Sequence, residues 1–163
     1  MTGLEKHNVF FVGIGGIGMS ALARWFKAMG HEVVGYDKTS TTLTDQLLEE
    51  GILVHYEDSL GLIPEEFTKE NTLVVYTPAI PDNHKQLNHF MEAGFEVKKR
   101  SEVLGLISNT MFSVAVAGTH GKSTTSSMIA HILHESSVDT TAFLGGIAAN
   151  FDSNLLLGRS AEA

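Results

Sequence analysis

The residues of this sequence that could do chemistry lie mainly in two glycine-rich segments. The segment GIGGIG occupies residues 13–18, and the segment GTHGKS occupies residues 118–123. Glycine lets the backbone turn tightly and approach a pyrophosphate, and a helix that follows offers unpaired N–H groups and the positive end of its dipole. Both segments therefore predict phosphate binding. Two of them in 163 residues indicate two nucleotides or one unusual substrate.

The first segment satisfies the dinucleotide fingerprint G-x-G-x-x-G. Its glycines are Gly13, Gly15 and Gly18, and Asp37 follows at about the 20-residue distance at which this fingerprint places an acid. Read alone, the pattern predicts an NAD site. The physical requirement is less specific, because any diphosphate fits a tight turn before a helix, and an acid often simply ends a strand.

The second segment ends like the phosphate loop of ATPases. In that interpretation the loop N–H groups surround phosphates, Lys122 reaches the β- and γ-oxygens, and Ser123 ligates Mg²⁺. The loop is short, because the full pattern G-x-x-x-x-G-K-[ST] requires glycine where this chain has Val116. Further hydroxyl side chains follow at 124–126, as expected for the start of a polar, phosphate-facing helix.

The elements predicted around the first segment alternate between strands and helices. Apolar runs predict strands at 9–12, 31–37, 52–54, 72–76 and from 95 onward. Helical spacing of apolar residues predicts helices after Gly18, at 44–50 and around Leu87, Phe90 and Met91. This alternation predicts a Rossmann-like, doubly wound parallel α/β sheet, covered on both faces, over residues 1–107.

A second unit is predicted from residue 108 onward. Residues 101–110 predict a short helix that runs into a polar junction, and MFSVAVAG at 111–118 predicts a buried strand before the second glycine segment. A helix at 123–134 and a strand in TTAFLGG follow. One such unit cannot close a core by itself. We therefore expect 108–163 to be the incomplete start of a P-loop ATP-binding α/β domain, in an N-terminal fragment of a longer protein.

Composition excludes several classes of protein. The net charge of −8 with only 11 Lys and Arg residues argues against nucleic acid as a partner. No apolar run approaches the roughly 20 residues that span a bilayer, so no membrane partner is expected. The chain has no cysteine, and its N-terminus lacks the pattern of a secretion signal, so we expect a cytoplasmic protein. The oligomeric state cannot be predicted from these features.

The runs GIGGIGMS at 13–20 and AGTHGKSTT at 117–125 together closely resemble the UDP-N-acetylmuramate:L-alanine ligases of the muramyl ligase family. The resemblance covers the whole chain, which corresponds to the first third of a typical member. Related muramyl ligases commonly carry Asn where this loop has His120, and murein peptide ligases usually lack the full GIGGIGM run. The L-alanine enzymes are therefore favoured.

The resemblance implies that the first unit binds the UDP part of UDP-N-acetylmuramate and that the second unit binds ATP. The residues that it places at the UDP-sugar are Gly13, Gly15, Gly16, Ile17, Gly18, Met19, Ser20, Asp37, Thr77, Ala79 and Ile80. The residues that it places at ATP are Gly118, Thr119, His120, Gly121, Lys122, Ser123 and Thr124. Ser123 would also ligate Mg²⁺.

The implied reaction is an ATP-dependent ligation in peptidoglycan precursor synthesis. The γ-phosphoryl group moves to the lactyl carboxylate of the sugar, and the amine of L-alanine attacks the resulting acyl phosphate. Lys122 would be the catalytic residue, because its charge stabilises the transferring phosphoryl group. The remaining metal ligands and the amino-acid domain of the family are expected beyond Ala163, so the 163-residue chain is expected not to ligate.

Three alternatives stay open. An NAD-dependent oxidoreductase would explain the first segment but not GTHGKSTT; the others are a murein peptide ligase of the same family and a nucleotide-binding module without catalysis. The chain also departs from the family, which often has Ser-Asp where Tyr36 and Asp37 stand and Gly-His where Glu57 and Asp58 stand. The basic run at 98–100 is interpreted as a solvated strand end, although members of the family often have Arg before this acidic start of a helix.

Overall fold

A five-stranded parallel sheet forms the centre of the N-terminal part. The computed structural model describes residues 4–159. The strands are β1 Asn8–Val12, β2 Glu32–Tyr36, β3 Leu53–His55, β4 Thr72–Tyr76 and β5 Glu96–Lys99. Their order is β3-β2-β1-β4-β5, and every neighbouring pair is parallel. The predicted doubly wound parallel sheet is confirmed.

Helices cover both faces of this sheet. They are α1 Ile17–Ala28, α2 Thr42–Glu49, α3 Lys85–Glu92 and α4 Arg100–Ser108, with a short 3₁₀ turn at Leu60–Leu62. Successive side chains of a strand point to opposite faces. In β1, Phe11 packs with Phe26 of α1 and with α2 and α4, whereas Phe10 packs with Phe90 of α3. Both faces are therefore buried, which explains the nearly continuous apolar sequence of the central strands.

The C-terminal part consists of a helix and an antiparallel hairpin. These elements are α5 Lys122–Glu135, β6 Ala142–Ala148 and β7 Ser153–Leu156. The helix and the strand β6 confirm the sequence expectation, whereas β7 was not predicted. No helix among the described residues is long and apolar enough to cross a membrane.

The strand expected in MFSVAVAG is not formed, and that prediction is wrong. Residues 112–117 have no regular secondary structure, and Phe112 is 96% exposed. A strand forms only when neighbouring strands pair with its backbone N–H and C=O groups. The next strand along the chain, β6, pairs with β7 instead. The C-terminal part is therefore not the strand–helix–strand unit that the apolar run indicates.

The hairpin packs against α1 of the N-terminal part. The rings of Phe143 in β6 and Trp25 in α1 lie 6.5 Å apart, and Phe143 packs against the core beneath α1. Asn154 of β7 is completely buried and bonded to the start of the same helix. The helix α1, which begins at the first glycine segment, is thus in direct contact with the β6–β7 hairpin, which follows α5.

Candidate functional site

The first glycine loop lies at the point where the strand order of the sheet reverses. It leaves the carboxyl end of β1, which has β2 on one side and β4 on the other, and open α/β sheets bind ligands at such a point. Gly13 has φ +90°, a conformation that favours glycine. The N–H groups of Gly13 and Ile14 donate to the Tyr36 carbonyl at 2.8 and 2.9 Å. These bonds join the loop to the end of β2.

Close neighbours explain why glycine is needed at two positions of this loop. A Cβ atom on Gly13 would lie 2.9 Å from Thr77 Cγ2 and 3.1 Å from Ile80 Cδ1. One on Gly15 would lie 2.9 Å from the Asp37 carboxylate. The structure therefore brings Thr77 and Ile80 to the loop. Ala79, in the same segment, is exposed.

Asp37 holds the loop through its carboxylate. Its Oδ2 accepts the Gly15 N–H at 2.7 Å, and its Oδ1 accepts the Thr39 N–H at 3.3 Å. A charged acceptor makes such a bond stronger than one between neutral groups. The acid of the fingerprint is therefore used within the protein to shape the turn.

The remaining residues of the first segment divide into open and buried ones. Gly16 and Ile17 are exposed, and a Cβ on Gly16 would meet no atom closer than 3.7 Å. Met19 and Ser20 are buried inside α1, and the Ser20 hydroxyl donates to the Gly16 carbonyl at 3.0 Å. The open side of the loop is therefore formed by Gly16, Ile17 and the backbone of the first helical turn.

The two helices that follow glycine loops begin differently from α2 and α3. Thr41 accepts an N–H of α2 and His84 accepts one of α3, whereas at α4 Glu102 accepts only the N–H of Lys99, the residue before the helix. Within residues 4–159, no side chain caps α1 after Gly16 or α5 after Gly121. The first N–H groups of a helix need acceptors from outside it. The starts of α1 and α5 therefore suit an anion.

The second glycine loop is open to solvent along its length. All seven predicted ATP residues, 118–124, are exposed. Gly118 has φ +147° and Gly121 has φ +76°, so both glycines adopt backbone conformations that other residues rarely take. The Lys122 ammonium donates to the Gly118 carbonyl at 2.7 Å and so lies across the loop. This arrangement brings the predicted catalytic cation to the start of α5.

A cleft of about 340 Å³ runs beside the second loop, between α5 and the end of β6. Ser123 and Thr124 line it on the helix side, and Gly146 lines it on the strand side. A Cβ on the neighbouring Gly145 would come within 2.8 Å of Ser123 Oγ. Glycine at this position of β6 therefore leaves room for the hydroxyl that the sequence places at Mg²⁺.

A second cleft, of about 270 Å³, joins the start of α1 to β6. Gly18 and Arg100 line it on one side, and Gly145 lines it on the other. Gly145 thus borders this cleft and also lies next to Ser123, so the helices that follow the two glycine loops both begin near the Gly145–Gly146 pair. Sequence reasoning missed Gly145, and it assigned Arg100 to a solvated strand end although the structure packs it on Gly18.

Comparison with known proteins decides the family. The sequence model described as "Mur ligase family, catalytic domain" matches residues 8–111. The chain belongs to the Mur ligase family. The predicted family resemblance is therefore confirmed over most of the described N-terminal part.

The curated relatives of this Mur ligase chain carry one name. It is 59% identical over 152 residues to the UDP-N-acetylmuramate–L-alanine ligase of Flavobacterium psychrophilum and 55% identical over 157 residues to that of Cytophaga hutchinsonii. These matches cover 93% and 96% of this chain. The chain spans 34% of the length of each relative.

Solved structures of Mur ligases have the same fold. The UDP-N-acetylmuramate–alanine ligase of Thermotoga maritima matches with a TM-score of 0.83 at 31% identity, over 93% of this chain and 35% of that one. A UDP-N-acetylmuramate:L-alanyl-γ-D-glutamyl-meso-diaminopimelate ligase from Neisseria meningitides matches with a TM-score of 0.83 at 26% identity, over 94% and 48%. The backbone fold therefore does not distinguish these two kinds of Mur ligase.

Polar side chains at the ends of β2 and β3 explain one departure of this Mur ligase from its family. Asp58 accepts the first two N–H groups of α3, at 2.8 and 3.0 Å, and lies 3.3 Å from His84. Burial raises the pKa of the Asp58 carboxyl, but these donors and His84 outweigh it and lower the pKa. Asp58 therefore holds the start of α3 in place.

Burial favours the neutral form of two histidines beside Asp58. Burial lowers the pKa of His84, with Asp58 opposing part of this shift, and burial also lowers the pKa of His55. The ring of His84 packs edge-on against Tyr36, with the centroids 4.5 Å apart. His84 Nδ1 accepts an N–H of α3, so the neutral ring acts as a helix cap. These residues form a packed support for the ends of the strands.

The second loop of this Mur ligase fits phosphate better than it fits a bare metal ion. Uncapped helical N–H groups and the Lys122 ammonium are donors, which suit phosphate oxygens. Within residues 4–159 no group of three His, Cys, Asp or Glu side chains could hold a metal. Ser123 Oγ is an oxygen of the type that Mg²⁺ accepts, and phosphate oxygens usually complete such sites. Magnesium is therefore compatible with this loop when nucleotide is bound.

Proposed function

We propose that this chain carries the nucleotide-sugar site and the ATP loop of an ATP-dependent ligase that adds L-alanine to UDP-N-acetylmuramate. One observation carries the proposal: Gly18 at the start of α1 and Ser123 at the start of α5 both border the Gly145–Gly146 pair of β6. A substrate that holds a diphosphate at the first loop can then present a second group to the phosphate at the other. The curated relatives that match most of the chain carry this enzyme's name.

The first loop would bind the diphosphate of the sugar nucleotide. The N–H groups at the start of α1 are its donors, and Gly16 leaves the close approach open. Asp37 accepts the Gly15 N–H and so stabilises the loop, and Thr77 and Ile80, which follow β4, pack against Gly13. The predicted UDP-sugar residues thus divide into those that touch the ligand and those that hold the loop.

The second loop would hold the phosphates of ATP. The N–H groups at the start of α5 and the Lys122 ammonium are its donors. Bound Mg²⁺ supplies positive charge to the phosphates, and Ser123 Oγ would be its ligand from this chain. Lys122 would turn from the Gly118 carbonyl towards the transferring phosphoryl group and stabilise its charge there.

The reaction couples two transfers. The lactyl carboxylate of the sugar takes the γ-phosphoryl group of ATP, which leaves ADP and an acyl phosphate. The amine of L-alanine then attacks the acyl carbon, and inorganic phosphate leaves with the bonding electron pair. These substrates and this chemistry belong to peptidoglycan precursor synthesis in the cytoplasm. Residues 4–159 contribute positioning and electrostatic stabilisation, and none of them forms a covalent intermediate in this scheme.

The alternatives differ in what they explain. An NAD-dependent oxidoreductase leaves GTHGKSTT without a role and does not agree with membership of the Mur ligase family. A murein peptide ligase shares the fold, but two solved murein peptide ligases are each 26% identical to this chain, whereas a solved UDP-N-acetylmuramate–alanine ligase is 31% identical. A nucleotide-binding module without catalysis would use the same two helix starts, and measured turnover distinguishes it from the ligase.

A chimeric enzyme tests the proposal. Residues 1–159 replace the matching region of the Flavobacterium psychrophilum ligase, and phosphate release from ATP is measured with UDP-N-acetylmuramate and L-alanine. We expect turnover that requires both substrates, and a loss of about 10³-fold with Lys122→Ala at unchanged UDP-N-acetylmuramate affinity. Lys69→Ala, an exposed lysine remote from both loops, is the control.

Three outcomes would contradict it. Turnover with an L-alanyl peptide but not with L-alanine would favour the murein peptide ligase. Nucleotide binding without turnover would favour the non-catalytic module. Equal turnover in Lys122→Ala and in the unchanged chimera would show that Lys122 is not the catalytic cation.

A further inference from the structure

Arg100 occupies an unusual position at the start of α4. Its guanidinium lies against the backbone of Gly18: a Cβ on Gly18 would be 3.0 Å from Nη1 and 3.2 Å from both Cδ and Cζ. The third glycine of the fingerprint therefore makes room for an arginine head at the first turn of α1. Arg100 itself is half-buried, so the protein holds this head in place from one side.

The Arg100 guanidinium has no acid partner in the part of the chain that the structure describes. The ion pairs there are Arg24–Glu50 and Lys98–Glu96, and no side-chain hydrogen bond includes Arg100. Arg24, by contrast, is held by three hydrogen bonds to Glu50, at 2.7, 2.8 and 3.0 Å.

An unpaired guanidinium at this place has an electrostatic cost. The start of α1 carries the positive end of the helix dipole, and Arg100 adds a full positive charge beside it. The two positive groups repel each other, and an anion bound between them offsets this repulsion. Arginine is also the side chain whose planar donors match the oxygens of a phosphate. The arrangement therefore favours a phosphate oxygen at the Arg100 head.

The position of Arg100 also decides which phosphate it meets. Arg100 and Gly18 face Gly145 across the 270 Å³ cleft, and Gly145 contacts the Ser123 side of the second loop. The sugar must extend towards that second loop for its carboxylate to accept a phosphoryl group. The phosphate next to the sugar therefore lies on the β6 side, which is the side of Arg100.

We propose that Arg100 binds the distal phosphate of the nucleoside diphosphate, the one that carries the sugar. This inference rests on the proposed function, because it takes the first loop as the site of a sugar nucleotide. Arg100 acts together with the N–H groups of the first turn of α1, and Gly18 is required so that the guanidinium can reach them. The residue discriminates a diphosphate from a monophosphate.

Calorimetric binding of UDP and UMP to the 163-residue chain tests the proposal. Arg100→Gln is expected to weaken UDP binding about tenfold and to leave UMP binding unchanged, because UMP lacks the distal phosphate. Lys99→Gln removes the same charge from the adjacent, exposed residue and is expected to change neither. Arg100→Lys keeps the charge and the aliphatic stem, and it is expected to bind UDP more tightly than Arg100→Gln.

The outcomes separate this inference from the function on which it rests. If the unchanged chain binds neither UDP nor UDP-N-acetylmuramate, the proposed sugar-nucleotide site is wrong. If it binds UDP and Arg100→Gln binds UDP equally well, only the role of Arg100 is wrong. An equal loss for UMP and UDP, or equal UDP affinity in Arg100→Gln and Arg100→Lys, would also overturn it. Circular dichroism and thermal unfolding confirm that each variant is folded.

Discussion

The side-chain amide of Asn154 donates to Ser20 Oγ at 2.8 Å, and the two residues are 134 positions apart in the sequence. The same amide donates to the Ile17 carbonyl at 2.6 Å, and its oxygen accepts from Arg24. Asn154 is completely buried. Every polar atom of this side chain therefore binds α1, so the β6–β7 hairpin is attached to the helix that begins at the first glycine loop.

Replacing Asn154 should loosen the hairpin. Asn154→Ala removes three hydrogen bonds and leaves buried partners without them, which should lower the free energy that holds the hairpin on α1 by about 1–3 kcal/mol. Amide exchange in residues 142–156 should become faster, while exchange in β1 and β4 should not change. Asn150→Ala, an exposed residue of the same hairpin, is the control. Unchanged exchange in Asn154→Ala would show that apolar contacts alone attach the hairpin.

Variants of Asp37 should show whether this residue stabilises the first glycine loop or contacts the ligand directly. Asp37→Ala removes the acceptor of the Gly15 N–H, so exchange of that amide should become faster and UDP affinity should fall several-fold. Asp37→Asn keeps a carbonyl oxygen at the same place and should restore most of the affinity. If both variants lose affinity equally while Gly15 exchange stays slow, Asp37 contacts the ligand directly. Measurable NADH binding would favour the oxidoreductase.

Lowering the pH should destabilise the fold through His84. Burial lowers the pKa of His84 in the folded chain below its unfolded value of about 6.5. The unfolded chain therefore takes up the proton first as the pH falls. The contribution of the neutral ring to stability is complete above about pH 6.5 and is lost as the pH falls through the lower, folded pKa.

Urea unfolding between pH 7.5 and pH 5 measures this effect. His84→Asn keeps an acceptor suited to the helix cap but cannot titrate, so its stability should depend less steeply on pH than that of the unchanged chain. His7→Asn removes an exposed histidine instead and is the control. An equal dependence on pH in His84→Asn and in the unchanged chain would assign the acid sensitivity to other groups.

Much of the N-terminal fold could be predicted because its signals are local. Apolar strands such as 72–76 alternate with helical patterns, and a glycine turn between a strand and a helix is visible over a few residues. The two glycine loops could be located for the same reason, since their glycines and Lys122 form short, contiguous motifs. The predicted ligand roles of these residues remain predictions.

The same local signals failed where pairing depends on distant segments. The run at 112–117 is apolar enough for a strand, but a strand also needs neighbours, and β6 pairs with β7 instead. The distance of Asp37 from the glycines fits the fingerprint, whereas its bond to Gly15 is a property of the folded loop.

The amino-acid sequence by itself determined the order of the elements in the N-terminal part, the doubly wound class and the two glycine loops, because periodicity and turn chemistry act between near neighbours. Only the tertiary structure decided that Arg100 lies on Gly18, that Gly145 lies beside Ser123 and that Asn154 binds the start of α1. Each of these contacts joins residues that are more than 20 positions apart. Their geometry depends on how whole helices and strands pack, and no local pattern in the chain contains that information.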